Sequence, residues 1–123
     1  PGVMPAQFPT LVKLHGAMVA KGRLLGVQFD TLFTDGLYFE ISKNAIDMAK
    51  ELRRICAEKG YKTYLDSPTN QQFFILENEK CESLAKHVRF SEWERPDEHH
   101  TVIRLATSWA TTKEDLAALA EVL

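Results

Sequence analysis

The stretch VIRLAT at residues 102–107 decides how this chain folds, because it reads as a β-strand with a charge near its centre. Side chains alternate between the two faces of a strand, so Ile103 and Leu105 point one way and Arg104 the other. A charge in a strand costs free energy unless it meets a partner or water. If the apolar pair faces helices, Arg104 lies on the opposite face of the sheet. A surface strand with one solvated arginine explains the pattern equally well.

Length and composition are those of one ordinary globular domain. The chain has 123 residues, of which 45% are hydrophobic and 26% charged. Its formal net charge of −2 predicts neither a nucleic-acid partner nor an anionic membrane surface. No apolar run approaches the roughly 20 residues that cross a bilayer. The two cysteines, Cys56 and Cys81, form no disulfide framework and no metal-ligand pattern, so we expect a cytoplasmic protein.

The first quarter of the chain, residues 1–33, is predicted to be an arm followed by one long helix. Three prolines favour an extended arm over residues 1–9. The helix over residues 10–33 is apolar on two sides, which predicts burial on two sides by another domain or subunit. It also carries three glycines, each costing roughly 1 kcal/mol in a helix interior. They indicate either close approach of another backbone or a break near Gly22.

Residues 34–123 alternate between helical and strand patterns. An amphipathic helix is predicted to begin between Leu37 and Ser42 and to end before Gly60, and residues 61–65 and 71–76 are predicted to form a hairpin. The remaining predictions are a helix capped by Asn78, strands over residues 89–93 and 101–107, and a last helix opened by a Thr111–Glu114 capping box. This order predicts an α+β fold: a small, mainly antiparallel sheet of three to four strands with helices on one face.

Motifs of known catalytic chemistry are missing from the sequence. It contains no Gly-x-Ser-x-Gly elbow, no His-Glu-x-x-His and no P-loop. The cluster AKGR at residues 20–23 fits phosphate binding, although solvated helix charges account for such clusters more often. Composition and spacing therefore lead to an α+β domain that exposes one functional arginine, Arg104.

Three segments, in order, resemble the low-specificity L-threonine aldolases. Residues 15–29 (HGAMVAKGRLLGVQF) are similar to the long helix that follows the cofactor lysine in those enzymes. Residues 66–75 (DSPTNQQFFI) resemble the hairpin of their small domain, and residues 102–111 (VIRLATSWAT) resemble their last strand and loop. The family belongs to the β-eliminating lyase group of fold type I pyridoxal-phosphate enzymes. The resemblance thus implies a carbon–carbon lyase that splits β-hydroxy amino acids into glycine and an aldehyde.

The resemblance also implies roles for two arginines. By position, Arg104 matches the arginine that holds the substrate α-carboxylate, and Arg23 matches one that approaches the cofactor phosphate of a partner subunit. The Schiff-base lysine of the family lies upstream, in a large domain that 123 residues do not contain. The start at Pro1 rather than methionine fits such a fragment. No catalytic residue is therefore expected here, and the isolated chain should neither bind pyridoxal phosphate covalently nor turn over.

The partners implied are the upstream large domain, an amino-acid substrate and further copies of the chain in a dimer or tetramer. Residues 1–33 are then an inter-domain and interface segment, and residues 34–123 the small domain. A stand-alone α+β module that binds a carboxylate, or that only dimerises, stays open as an alternative.

Overall fold

The computed structural model of the chain describes residues 4–123 and divides into two compact units, Pro1–Tyr38 and Phe39–Leu123. The first unit contains helix α1 (Phe8–Leu14) and helix α2 (Gly22–Phe33). Helix α3 (Leu37–Glu58) starts two residues before the boundary and runs through the second unit. None of the helices in residues 4–123 combines the length and the apolar character needed to span a bilayer.

The single long helix predicted over residues 10–33 is wrong, because the chain leaves the helical path between α1 and α2. Gly16 follows α1 with a φ of +66°, a backbone conformation that ends a helix and that glycine adopts without strain. Helix α2 then begins at Gly22, so the glycines mark the break that was one of the two alternatives. The extended arm is also shorter than predicted, since α1 begins at Phe8 and accommodates Pro9 in its first turn. Residues 1–3 of that arm lie outside the described residues.

The second unit is the predicted α+β domain. After α3 come strand β1 (Lys62–Thr63), strand β2 (Gln71–Glu77), helix α4 (Asn78–Leu84), strand β3 (Ser91–Glu94), strand β4 (His100–Ala106) and helix α5 (Lys113–Val122). The four strands form one antiparallel sheet in the order β1-β2-β4-β3. The predicted hairpin is the β1–β2 pair, and β4 lies between β2 and β3.

The helices of this unit share one core with one face of the sheet. From the sheet it takes Phe74, Leu76, Ile103 and Leu105, and its other buried members come from the three helices: Met48, Leu52, Ile55, Cys56, Cys81, Leu84 and Leu116. Ile103 and Leu105 therefore face the helices, as the alternation predicts. Because successive side chains alternate, Arg104 and Val102 lie on the face turned away from α3, α4 and α5.

Local signals set the ends of the helices. Gly60 has a φ of +86°, and the amides of Gly60 and Tyr61 donate to the carbonyls of Ala57 and Cys56, which is a Schellman motif at the end of α3. The capping box of α5 lies one residue later than predicted: Thr112 accepts from the Asp115 amide at 3.1 Å, and Asp115 accepts from the Thr112 amide at 2.9 Å.

The predicted cap of α4 is wrong. Glu77 occupies the N-cap position, with no side-chain bond, and Asn78 is the first helical residue. The Asn78 side chain instead accepts from the Thr101 hydroxyl at 2.8 Å and donates to the Glu98 carbonyl at 2.9 Å. Long-range bonds to β4 and its preceding loop therefore replace the local cap.

A second set of side-chain bonds fixes the far end of β4 against α3. The Thr107 hydroxyl donates to the Ala45 carbonyl at 2.6 Å, and Asn70 donates to the Thr107 carbonyl at 2.7 Å. Asn44 adds bonds of 3.1 Å to the carbonyls of Trp109 and Thr111. Both ends of the strand that carries Arg104 are thus tied to neighbouring elements.

Candidate functional site

Arg104 lies at the centre of the outward face of the sheet, half-buried between the neighbouring strands. In register it stands opposite Phe73 of β2 and opposite Ser91 of β3. Its Nη1 donates to the Oε1 atom of Gln71 at 3.1 Å, and its Nη2 donates to the Oγ atom of Ser91 at 3.1 Å. Both acceptors are uncharged. Within residues 4–123, no carboxylate forms an ion pair with Arg104.

An aromatic pair adjoins the guanidinium group. The Arg104 Cζ atom lies 5.9 Å from the centre of the Trp93 ring, within the range of a cation–π contact. Trp93 packs edge-on against Phe73 with ring centroids 5.1 Å apart, and it keeps half of its surface exposed. The aromatic layer shields one side of the guanidinium while leaving the site accessible.

A β-bulge explains why Trp93 lies over this face. Glu92 pairs with Ile103 and Glu94 pairs with Val102, so Trp93 is an extra residue between two consecutive partners on β4. A bulge bends the strand locally and redirects a side chain. Sequence analysis missed Trp93, Gln71 and Ser91 as site residues, because their proximity to Arg104 depends on the register of three strands. Only the position of Arg104 on the outward face followed from alternation.

A carboxylate and a phenol lie on the same outward face. The Tyr64 hydroxyl donates to Glu94 Oε1 at 2.7 Å, and this hydrogen bond raises the pKa of Tyr64. Glu94 thus has a neutral partner of its own. The Arg104 guanidinium therefore keeps a permanent positive charge, with two uncharged acceptors and one aromatic ring as its neighbours. A planar guanidinium in such surroundings suits a planar anion such as a carboxylate.

Arg23 lies in the other unit, in the first turn of α2. Its side chain is exposed, and no ion pair joins it to any residue from 4 to 123. Lys21 occupies the N-cap position of α2 without a side-chain hydrogen bond, and the first turn of the helix contains no acidic residue. Free amides and basic side chains at a helix start favour an anion. Arg23 and Arg104 belong to different units of the chain.

Among the residues that the structure describes, the other titratable groups form no second centre of chemistry. Burial raises the pKa of the Cys56 thiol to about 12, and burial also raises that of Cys81, so both are poor nucleophiles. His100 pairs with Asp97, whose pKa that hydrogen bond lowers. Over residues 4–123, no group of three His, Cys, Asp or Glu side chains is arranged to hold a metal ion.

Comparison with solved structures finds a match over almost the whole chain. A structure of threonine aldolase from Leishmania major superposes with a TM-score of 0.84 and 34% sequence identity. The match covers 96% of this chain and 34% of that protein. The chain has a threonine aldolase-like fold. It spans about a third of the length of the protein it matches, while no protein-family model and no curated protein matches it.

Proposed function

We propose that this chain is the C-terminal part of a pyridoxal-phosphate-dependent lyase resembling L-threonine aldolase. Such an enzyme cleaves β-hydroxy amino acids, threonine among them, to glycine and an aldehyde. The observation that carries the proposal is Arg104, a charged fork without a carboxylate partner in residues 4–123, on a sheet with a threonine aldolase-like fold. In this proposal Arg104 binds the α-carboxylate of the amino-acid substrate.

The surroundings of Arg104 support a carboxylate ligand. Two neutral acceptors stabilise the guanidinium without cancelling its charge. Together they accept hydrogen bonds from two of the five N–H groups of Arg104. The remaining donors can form a charge-assisted pair with a carboxylate, which is roughly twice as strong as a neutral hydrogen bond. Partial burial under Trp93 strengthens that pair, because the effective dielectric is lower than in water.

The exposed apolar side chains of the first unit support the proposal that another surface covers this unit. Neither α1 nor α2 contains a buried residue, although both are rich in apolar side chains. Leu14, Met18, Leu24 and Phe29 each expose more than half of their surface. Many large apolar side chains exposed on one short segment are typical of an interface. We assign it to an upstream large domain and to further copies of the chain in a dimer or tetramer.

The cofactor would be held partly by Arg23. Its position in the first turn of α2, which has no side-chain cap and no acidic residue and follows Lys21 at the N-cap, fits a phosphate group. Pyridoxal phosphate, when bound, acts as the electron sink for cleavage of the Cα–Cβ bond. In this proposal the lysine that attaches the cofactor belongs to the large domain, and this chain contributes only anion-binding side chains. The two buried free thiols fit a reducing compartment such as the cytoplasm.

Substitution of Arg104 in the full-length protein tests the proposal. Arg104→Ala should raise the KM for threonine and cost about 2–5 kcal/mol of transition-state stabilisation, because it removes one partner of a partly desolvated charge pair. Arg104→Lys keeps the charge but loses the planar fork, so it should recover only part of the loss. The matched control is Arg54→Ala, since Arg54 is an exposed arginine already paired with Glu51 and Glu58 on α3.

Steady-state kinetics separates the outcomes. A full-length protein that does not cleave threonine rules out the proposed reaction. Cleavage with the same KM in Arg104→Ala and Arg54→Ala retains the reaction but removes Arg104 from the substrate site. The alternative of a stand-alone module predicts instead that the 123-residue chain binds a carboxylate ligand through Arg104, or only dimerises, without any large domain.

A further inference from the structure

We propose that Gln71 and Ser91 are positioning residues for the proposed function, which aim the Arg104 guanidinium at a substrate carboxylate while leaving its charge uncompensated. Each contributes one uncharged oxygen at 3.1 Å, one to Nη1 and the other to Nη2. Gln71 comes from β2 and Ser91 from β3, the strands on either side of β4. The guanidinium is therefore held from both sides.

Two bonds to different nitrogens restrict the rotation of the arginine fork. A long side chain such as arginine loses rotamer entropy when it becomes ordered, and that loss opposes binding. If Gln71 and Ser91 order it before the ligand arrives, less of that cost falls on substrate binding. Strand β2 pairs with all of β4, and Ser91 of β3 pairs directly with Arg104, so the backbone of the sheet fixes the geometry.

The neutrality of both acceptors distinguishes Arg104 from three other arginines of the second unit, which pair with carboxylates. Arg53 pairs with Asp66, Arg54 with Glu51 and Glu58, and Arg95 with Glu92. A carboxylate at position 71 or 91 would occupy the fork in the same way and would compete with the substrate. Glutamine and serine supply hydrogen bonds without that competition.

Trp93 completes the arrangement from a third direction. Its ring lies 5.9 Å from the guanidinium carbon and packs against Phe73, so it covers one side of the fork with apolar surface. Because of the bulge in β3, Trp93 has no partner residue on β4. It lies two positions after Ser91 in the same strand. Ser91 and Trp93 thus come from β3, whereas Gln71 and Phe73 come from β2 on the other side of β4.

Gln71→Glu in the full-length protein is the decisive variant, because it keeps size and hydrogen-bonding reach and adds only a charge. An internal ion pair should hold Arg104 in place and should not lower the melting temperature. If neutrality matters, the KM for threonine rises at least about 30-fold, the factor that corresponds to 2 kcal/mol for a lost charge pair. Glycine affinity, measured by isothermal titration calorimetry, should fall by a similar factor. Ser83→Glu adds the same charge on α4, on the helical side of the sheet, and is the control.

Loosening variants test the positioning role separately. Gln71→Ala and Ser91→Ala should each raise the KM roughly 2- to 12-fold, the effect of one neutral hydrogen bond, with kcat at saturation little changed. Ser91→Thr retains the hydroxyl and should recover the parent KM. Should Gln71→Glu fail to fold, Ser91→Asp applies the same charge at an exposed position of β3.

The outcomes keep this proposal distinct from the proposed function. A parent enzyme that cleaves threonine, with KM and glycine affinity equal in Gln71→Glu and Ser83→Glu, overturns the role of the neutral acceptors and leaves the lyase assignment standing. A full-length protein that neither cleaves threonine nor binds glycine overturns both. A large KM increase in Gln71→Glu without loss of melting temperature supports the proposal, since a merely structural role would tolerate the ion pair.

Discussion

The first unit and the Phe39–Leu123 unit are built from similarly apolar segments, yet they use them differently. Every buried hydrophobic residue among residues 4–123 lies in the second unit, where α3, α4 and α5 cover one face of the sheet. In the first unit no residue of α1 or α2 is buried and most of their apolar side chains are exposed, although the rings of Phe29 and Phe33 stack with centroids 6.1 Å apart. Within the described residues, the apolar faces of amphipathic helices are therefore buried only in the second unit.

This difference has an energetic consequence. Most helical stability in proteins comes from packing an apolar face, and helices shorter than about 12–15 residues are marginal in water on their own. Helix α1 has 7 residues and α2 has 12, without side-chain caps and without buried residues. We expect these helices to gain their stability from surfaces outside residues 39–123, as the proposed function requires.

The largest expected effect on stability comes from replacing a phenylalanine by alanine in each of the two units. Phe74→Ala removes a ring that is 1% exposed and should lower the free energy of unfolding by about 3–5 kcal/mol. Phe29→Ala removes a ring that is 62% exposed and should change it by less than about 0.5 kcal/mol in this chain. Urea unfolding of both variants measures the difference. Equal effects would contradict the comparison, and a larger Phe29 effect in the full-length protein would show that another surface covers α2.

Glycine-to-alanine substitution should have opposite signs in the two units. Gly60 needs its φ of +86°, so Gly60→Ala should destabilise the second unit by about 1–2 kcal/mol. Gly26 lies inside α2, where an added Cβ meets nothing within 4 Å, and Gly26→Ala should favour the helix by about 0.5–1 kcal/mol. Urea unfolding for Gly60 and helical circular dichroism for Gly26 measure these changes. Destabilisation by Gly26→Ala only in the full-length protein would indicate close approach of a partner backbone.

The caps offer a smaller contrast. Helix α5 has a capping box and α2 has no side-chain cap. Thr112→Ala should therefore cost about 1 kcal/mol, as is typical for an N-cap residue. Circular dichroism during urea unfolding tests this, with Thr111→Ala as the neighbouring threonine for comparison. If only Thr111→Ala lowered the stability, Thr111 would be the N-cap residue, as the sequence predicted.

The smallest effect is a pH dependence of the same cap. Hydrogen bonds from the Thr112 backbone and side chain lower the pKa of Asp115 below its usual value of 3.8. A carboxylate with a depressed folded-state pKa stabilises the fold above its unfolded pKa and loses that contribution as pH falls through the folded value. The urea midpoint of the parent should thus approach that of Asp115→Asn as pH decreases from about 6 to below 4. A constant gap would show that the charge of Asp115 does not contribute.

Sequence predictions succeeded where one element decides the outcome. The stripe of α3, the alternation around Ile103 and Leu105, and the turn at Gly60 are local or periodic signals, and the structure confirms them. Predictions failed where partners distant in sequence compete with a local signal. Asn78 has the composition of a helix cap, yet bonds to Thr101 and Glu98 use its side chain. The single helix over residues 10–33 failed because Gly16 ends α1 in the left-handed conformation and the next helix begins at Gly22, so the glycines mark a break rather than a close approach within one helix.

The sequence by itself determined an α+β domain and placed Arg104 on the face of its strand opposite Ile103 and Leu105, because strand periodicity follows from backbone geometry alone. Only the tertiary structure decided what surrounds that arginine. Gln71, Ser91 and Trp93 reach it through the pairing of β2, β4 and β3 and through a bulge that shifts the register. Such neighbours depend on which strands pair and at which residue, and long-range packing of the whole sheet settles that choice.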